Sequence, residues 1–234
     1  MEINISVLYP ALFNHYGDAG NIAALKYRLE QRGIQVNVQN ISSPCELRTE
    51  NTDILYIGGA TDSNLAAVYE SIYQTKDKIK SYVESGGVLL GVCTGYEMLG
   101  KSFETESAKY DGLGVLDITS HAGKKRIIGN IVTKCESLGF DIVGFENHIG
   151  TVEIGNNTPL GKVIFGHGNT EGVIYKNVVG TYIHGPLLPK NPQLADYIIK
   201  NALQRKYGNC TLEALDDELE KSAHEYIKKT YIKK

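Results

Sequence analysis

The stretch Gly86-Gly87-Val88-Leu89-Leu90-Gly91-Val92-Cys93-Thr94-Gly95-Tyr96 decides how this chain folds. Val88 to Val92 is a short apolar run and reads as a strand buried in a parallel sheet. It ends on Cys93, with Gly91 two residues before and Gly95 two residues after. Gly91-Val92-Cys93-Thr94-Gly95 reads as a sharp strand-to-helix turn, where a nucleophile is held in a strained conformation that only small neighbours can flank. Such a turn lifts the sulfur above the sheet edge, at the start of a helix. There the helix dipole and free backbone N–H groups are expected to lower the thiol pKa from its usual ~8.5. The same N–H groups could stabilise an oxyanion. A lone cysteine is more commonly a core residue. A core strand gains nothing from the two glycines, so they favour the nucleophile.

Outward from this turn, strand-like and helix-like stretches alternate. Ile3 to Tyr9 reads as strand, and Asn21 to Arg32 as a helix with Ile22, Leu25 and Leu29 on one face and Gly33 at its end. Ile34 to Val38 and Asp53 to Ile57 read as strands, and Leu65 to Ser85 as one or two helices. This βαβ rhythm predicts an α/β fold: a three-layer, mostly parallel sheet with helices on both faces. Reacting groups in such sheets gather beyond the carboxyl ends of the strands. Gly58-Gly59 and Cys93 both follow strand ends, which predicts a shared edge. Further on, Gly114 to Ile118, Arg126 to Val132, Ile142 to Ile149, Lys162 to Phe165 and Gly172 to Ile183 read as short strands between glycine-rich turns. Helix returns at Gln193 to Tyr207, and a charged helix over Leu212 to Lys229 closes the chain. No repeat or linker divides the sequence, so one domain over 1–234 is expected.

Composition narrows the classes of function. Apolar residues make up 42% and charged residues 22% of the 234, the balance of a folded domain rather than a disordered one. A net charge of −3 gives no electrostatic footprint for nucleic acid. Cys45, Cys93, Cys135 and Cys210 lie far apart with no CxxC pair, which argues against a disulfide framework or a zinc site and suits a reducing compartment. MEINISVLYP has neither a basic n-region nor a long apolar core, so it does not read as a signal peptide. No apolar run approaches the roughly 18 residues a membrane span needs. A cytoplasmic location is expected.

A cysteine nucleophile needs a base. Val178 to Ile183 is an apolar strand that His184-Gly185-Pro186 ends abruptly, placing an imidazole at a strand end where a cysteine turn could reach it. His148, in Gly144-Phe145-Glu146-Asn147-His148, is the rival, although its alternation also suits an ordinary sheet face. Gly58-Gly59-Ala60-Thr61-Asp62 follows a strand, and its small residues let a backbone N–H approach a ligand closely. Taken alone it is a plain βα turn. Gly95-Tyr96-Glu97-Met98-Leu99-Gly100-Lys101-Ser102 matches the phosphate-loop pattern GxxxxGK[ST]. Its context is wrong: the strand ends at Val92, the residues after Ser102 are acidic and weakly periodic, and Glu97 would put a carboxylate into the phosphate cradle.

These features sit within longer blocks: His15 to Ile22, Tyr56 to Gly59, Cys93 to Tyr96, Gly112 to Asp117, Gly144 to His148 and Gly180 to Asn191. On them the chain resembles the class I glutamine amidotransferases. It is closest to the branch whose glutaminase domain is like those of the cobyric acid synthases, and within it to the glutaminase subunits of lipid II isoglutaminyl synthases. The resemblance implies that Cys93 attacks the side-chain amide of L-glutamine to form a thioester. It implies that His184 protonates the departing ammonia and later activates water. Backbone N–H groups near Gly59 and Thr94 would hold the oxyanion, and Arg126 would clamp the substrate carboxylate, as a guanidinium does well. Without the resemblance, Arg126 in Lys124-Lys125-Arg126 reads as a solvated charge in a basic turn.

The resemblance further implies a partner, a MurT-type subunit related to the Mur ligases. That partner would use ATP to activate the D-glutamate α-carboxylate of lipid II during peptidoglycan synthesis, so no cofactor and no metal is expected in this chain. A corrinoid synthase served by the same glutaminase, and a regulatory module using Cys93 as a redox sensor, are the competing readings. The chain departs from the family pattern in two places. Other class I glutaminases carry a carboxylate two residues after the histidine, where this chain has Pro186. The orienting acid is therefore expected from the partner. The family's Gly-Gly-Gly turn reads Gly58-Gly59-Ala60 here, which leaves open which amide faces the oxyanion.

Overall fold

A computed structural model describes residues 1–232. The strands are β1 (Glu2–Leu8), β2 (Gln35–Ile41), β3 (Ile54–Ile57), β4 (Val88–Val92), β5 (Ser102–Glu104), β6 (Lys109–Asp111), β7 (Thr119–Cys135), β8 (Phe140–Glu153), β9 (Thr158–Phe165), β10 (Thr170–Tyr175), β11 (Val178–Thr181) and β12 (Ile183–His184). The α-helices are α1 (Ala19–Glu30), α2 (Asp62–Tyr73), α3 (Lys76–Glu84), α4 (Thr94–Met98), α5 (Pro192–Tyr207) and α6 (Glu218–Ile232). The strands form one sheet in the order β12-β8-β7-β9-β10-β11-β4-β3-β1-β2, with β5 and β6 as a side hairpin reached through β7.

The sheet has two halves. From β2 to β11 the neighbours run parallel, joined by crossovers that carry helices. Both β3 and β4 are buried along their whole length, which is why their sequences run apolar without alternation. From β11 onward through β10, β9, β7, β8 and β12 the pairing is antiparallel. Its largest piece is the β7–β8 ribbon, whose register shifts between Ala122 and Ile127. That bulge falls beside Lys124-Lys125-Arg126 and bends the ribbon there.

Several elements differ from the sequence reading. Gly114 to Ile118 is not a strand. The backbone N–H groups of Leu113, Gly114, Val115 and Leu116 instead cap carbonyls of Met98, Gly100 and Leu99 at the end of α4, and their apolar side chains are buried there. Arg126 to Val132 is the middle of a strand of 17 residues. Gly172 to Ile183 divides into three strands, with a turn through Lys176 at φ +51°. Leu65 to Ser85 is two helices, broken where the Thr75 hydroxyl donates to the Ile72 carbonyl. The last helix begins at Glu218, not Leu212. Before it, Asp217 is committed to Arg28 of α1, which it meets at 2.5 Å.

Candidate active site

The turn after β4 has the strain its sequence implies. Cys93 sits at φ +52°, ψ −115°, a region that costs a residue with a side chain of order 1–3 kcal/mol. Its neighbours hold it there. A methyl at Gly95 would lie 2.2 Å from the Ile57 carbonyl oxygen, and one at Gly91 would lie 2.9 Å from Leu99. The Cys93 amide donates to the Thr181 carbonyl at 2.8 Å, which fixes the turn to the end of β11.

The thiol behaves differently from the expectation. Burial, then the nearby Glu97 and Asp18 carboxylates, push it well above its ordinary value, while hydrogen bonds from the Thr94 amide and side chain work in the opposite direction. Desolvation outweighs the dipole of a helix only five residues long. The resting group is therefore a neutral thiol, and a base must take its proton.

β11 runs parallel to β4, so the residues that follow each strand emerge side by side. This brings His184 to Cys93. A methyl at Gly59 would lie 3.1 Å from His184 Cε1, 3.3 Å from Cys93 Cβ and 3.1 Å from Asp18 Oδ2. The three side chains thus converge on the one residue without a side chain of its own. His184 Nδ1 lies 3.3 Å from Asp18 Oδ1, and both residues are fully buried. Nδ1–H faces the carboxylate, which leaves the buried Nε2 with no partner among the described residues.

Asp18 corrects the expectation that the partner supplies the orienting acid. Pro186 occupies the position after the histidine where a carboxylate was sought, and it packs on Gly20, whose added methyl would lie 2.5 Å from the proline ring. That contact holds the first turn of α1 against the His184 strand, and the Asn21 side chain ties it further by accepting from the Leu188 amide at 2.8 Å. Asp18, just before that turn, faces the imidazole. Its other oxygen accepts from the Gly59 amide at 2.8 Å. Gly59 N–H is therefore spent on Asp18, and the expectation that it faces an oxyanion does not hold in this arrangement. The Thr94 amide, at the start of α4, has no such acceptor among the described residues.

The cleft over Cys93 has a volume of about 560 Å³. Arg126 reaches its wall from the β7–β8 ribbon and donates to the Asn147 amide oxygen at 3.3 Å. Glu97 reaches it from α4, accepting from Tyr182 at 2.7 Å and Ser120 at 3.0 Å, and burial raises its carboxyl above the usual range. Arg126 and Glu97 give the cleft a cationic and an acidic wall, suited to a zwitterion. His15 and Tyr16 close another side, and Tyr16 meets the His184 ring edge-on at 5.2 Å between centroids. His15 is held below its ordinary value, chiefly by burial. His148, the rival base, lines the cleft too, but stacks on Tyr182 at 3.8 Å and gives its Nδ1–H to the Gly150 carbonyl at 2.8 Å.

The phosphate-loop pattern is not a phosphate loop. Gly95 N–H bonds to the Gly58 carbonyl and Gly100 N–H to that of Glu97, so neither amide is free for an anion. Lys101 lies at the surface, paired with Asp117. The sequence reading singled out neither Asp18, Glu97 nor Asn147 as site residues. Asp18 lay inside the His15–Ile22 block, but the acid was sought beside the histidine in sequence.

Residues 4–192 match the family model of the CobB/CobQ-like glutamine amidotransferase domain. The chain is 38% identical over 97% of its length, and 95% of the relative's, to the lipid II isoglutaminyl synthase (glutamine-hydrolyzing) subunit GatD of Staphylococcus aureus (strain N315). It is 37% identical to GatD of Streptococcus pneumoniae (strain ATCC BAA-255 / R6), over 96% of this chain and 90% of that one. A probable cobyric acid synthase of Methanococcus maripaludis is 32% identical over 73% of this chain but only 38% of its own length. Among solved structures, a glutamine amidotransferase superposes with a TM-score of 0.59 at 20% identity, covering 85% of this chain and 98% of that one. A second, from Thermotoga maritima, gives 0.54 at 15% identity, covering 97% and 93%. These two share the α/β fold.

Proposed function

We propose that this chain, which belongs to the CobB/CobQ-like glutamine amidotransferase family, is the glutamine-hydrolysing subunit of a lipid II isoglutaminyl synthase. The convergence of Cys93, His184 and Asp18 on Gly59 carries the reading. L-Glutamine enters the cleft with its carboxylate toward Arg126 and its ammonium toward Glu97. His184 Nε2 takes the proton of the neutral Cys93 thiol as the sulfur attacks the side-chain amide carbon. Asp18 keeps the imidazole in the right tautomer and stabilises its cation. The Thr94 amide faces the oxyanion, and such a donor is worth roughly 3 kcal/mol of barrier. The imidazolium then protonates the leaving nitrogen, ammonia departs, and a thioester remains. Water, deprotonated by His184, cleaves it to glutamate and restores the thiol.

The ammonia then passes to a MurT-type, ATP-using partner that amidates the D-glutamate α-carboxylate of lipid II. Nearly full-length similarity to two GatD subunits supports that acceptor over a corrinoid, because the cobyric acid synthase relative is matched over little more than a third of its length. A redox-sensor role needs an exposed thiolate, whereas this sulfur is buried and held neutral.

Glutamate release from glutamine tests the hydrolysis, and lipid II amidation with the partner and ATP tests the acceptor. Cys93→Ala should abolish both, and a glutamine-analogue electrophile should label Cys93 alone among the four cysteines. Glutamate release that survives Cys93→Ala would end the reading.

A further inference from the structure

We propose that Glu171, a buried carboxyl on β10 outside the catalytic cleft, is a positioning residue of the glutaminase: it fixes the jog at Tyr182 from which Cys93, His184 and Glu97 all take their places. This rests on the glutaminase reading above.

The chain changes partner at this point. Val178 to Thr181 pair in parallel with β4, whereas Ile183 and His184 pair antiparallel with β8. Tyr182 lies between the two strands and belongs to neither. A strand that leaves one ladder for another leaves backbone donors unpaired, and burial makes such donors costly. Side chains take them up here. The Tyr182 amide donates to a Glu171 carboxyl oxygen at 2.8 Å, and the Ile183 amide donates to the Thr181 hydroxyl at 3.0 Å. That hydroxyl donates in turn to the same Glu171 oxygen at 2.5 Å. One oxygen therefore anchors both Thr181 and Tyr182.

Register delivers that oxygen. Val173 faces Gly180 in the β10–β11 pair, so Glu171, two residues earlier, stands opposite Tyr182. Gly172, at φ +59°, lets β10 come close: a methyl there would lie 2.4 Å from the Gly180 carbonyl oxygen. Burial, with the neighbouring Glu146 charge adding to it, holds the Glu171 carboxyl above the usual range. Both donors need an acceptor oxygen, which the charged and the neutral carboxyl each supply.

Three functional groups hang from the jog. The Thr181 carbonyl accepts from the Cys93 amide at 2.8 Å and so holds the strained nucleophile turn. The Tyr182 hydroxyl donates at 2.7 Å to Glu97, the acidic wall of the cleft. His184 follows two residues after Tyr182, with Asp18 on its Nδ1. Displacing the Glu171 oxygen moves nucleophile, base and substrate clamp together, although Glu171 does not line the cleft.

The test measures glutamate release by the full chain in complex with its amidating partner, per folded chain. Glu171→Asp keeps the acid but withdraws the oxygen by one methylene. It should lower kcat on the order of 10–10²-fold, the scale of a misplacement near 1 Å, and raise KM several-fold because Glu97 shifts with Tyr182. Glu171→Gln loses the acid but keeps an acceptor at full reach, and should recover most of that loss. Thr181→Val cuts only the Thr181 side of the anchor, so it should lower kcat with little change in KM. Wild-type kinetics in Glu171→Asp or in Thr181→Val overturns the proposal. An active Asp variant beside an inactive Gln variant also overturns it, because charge rather than position then matters. A wild-type complex that releases no glutamate removes the glutaminase reading itself, a result distinct from these.

Discussion

The parallel half of the sheet and the antiparallel β7–β8 ribbon divide the work of the cleft. Cys93 follows β4 of the buried parallel half, His184 follows β11 on the two-residue β12 that pairs antiparallel with β8, and Asp18 and His184 are both fully buried. Arg126 and Asn147 come from the ribbon, where Arg126 is exposed and its neighbour Ile128 is 57% exposed. The difference follows from what each half must do. Proton transfer tolerates little error in geometry, and burial in a close-packed core suppresses such error. Recognition of a substrate that enters from water needs groups that water can reach. Defects in the first half should therefore lower kcat, and defects in the second should raise KM.

Among substitutions that leave the Cys93 nucleophile in place, the largest effect expected is at Asp18. Asp18→Asn retains the side-chain volume but removes the charge and the tautomer control, so kcat should fall on the order of 10³–10⁴-fold. The isolated subunit and the complex should fall together, since the acid belongs to this chain. A partner that restores the rate would break the assignment. Gly59→Ala comes next. Its methyl would enter the space where Asp18, His184 and Cys93 meet, and a misplacement of order 1 Å should cost about 10²-fold in kcat with little change in KM.

Arg126→Ala should invert that signature, raising KM by roughly tenfold or more with kcat nearly unchanged, as loss of a charge-assisted clamp costs about 1.5–3 kcal/mol. A loss confined to kcat would remove the division between the two halves. The smallest effect is in the resting thiol. Because burial and the Glu97 and Asp18 carboxylates raise its pKa, the thiolate fraction at neutral pH is lower than in an ordinary cysteine. Iodoacetamide should alkylate Cys93 slowly at pH 7, and its rate should climb only at pH values above those at which an ordinary free thiol ionises. Rapid alkylation of Cys93 at neutral pH would contradict this.

What was legible in the chain follows the same line. The elbow at Cys93 is local: an apolar strand, two glycines and a helix start within a dozen residues carry its whole geometry. His184 was legible as a strand end, and β11 beside β4 then placed it. Asp18 meets His184 across 166 residues of sequence, and nothing in its own loop marks it as an acid for that histidine. The Gly114 to Ile118 stretch misled because its apolar residues are buried by capping α4, a role that alternation does not distinguish from a strand. The direction of the Cys93 shift misled for a related reason. A helix start is visible in sequence, but the depth of burial that outweighs it is not.

The order of residues by itself determined the parallel βαβ half and the elbow, because periodicity and glycine placement act over one or two neighbouring elements. Tertiary structure alone decided which histidine meets Cys93, the source of the orienting acid, the engagement of the Gly59 amide and the neutral state of the thiol. Each of these depends on which groups lose water together. That is a property of surfaces brought into contact from distant parts of the chain, and no short stretch of sequence encodes it.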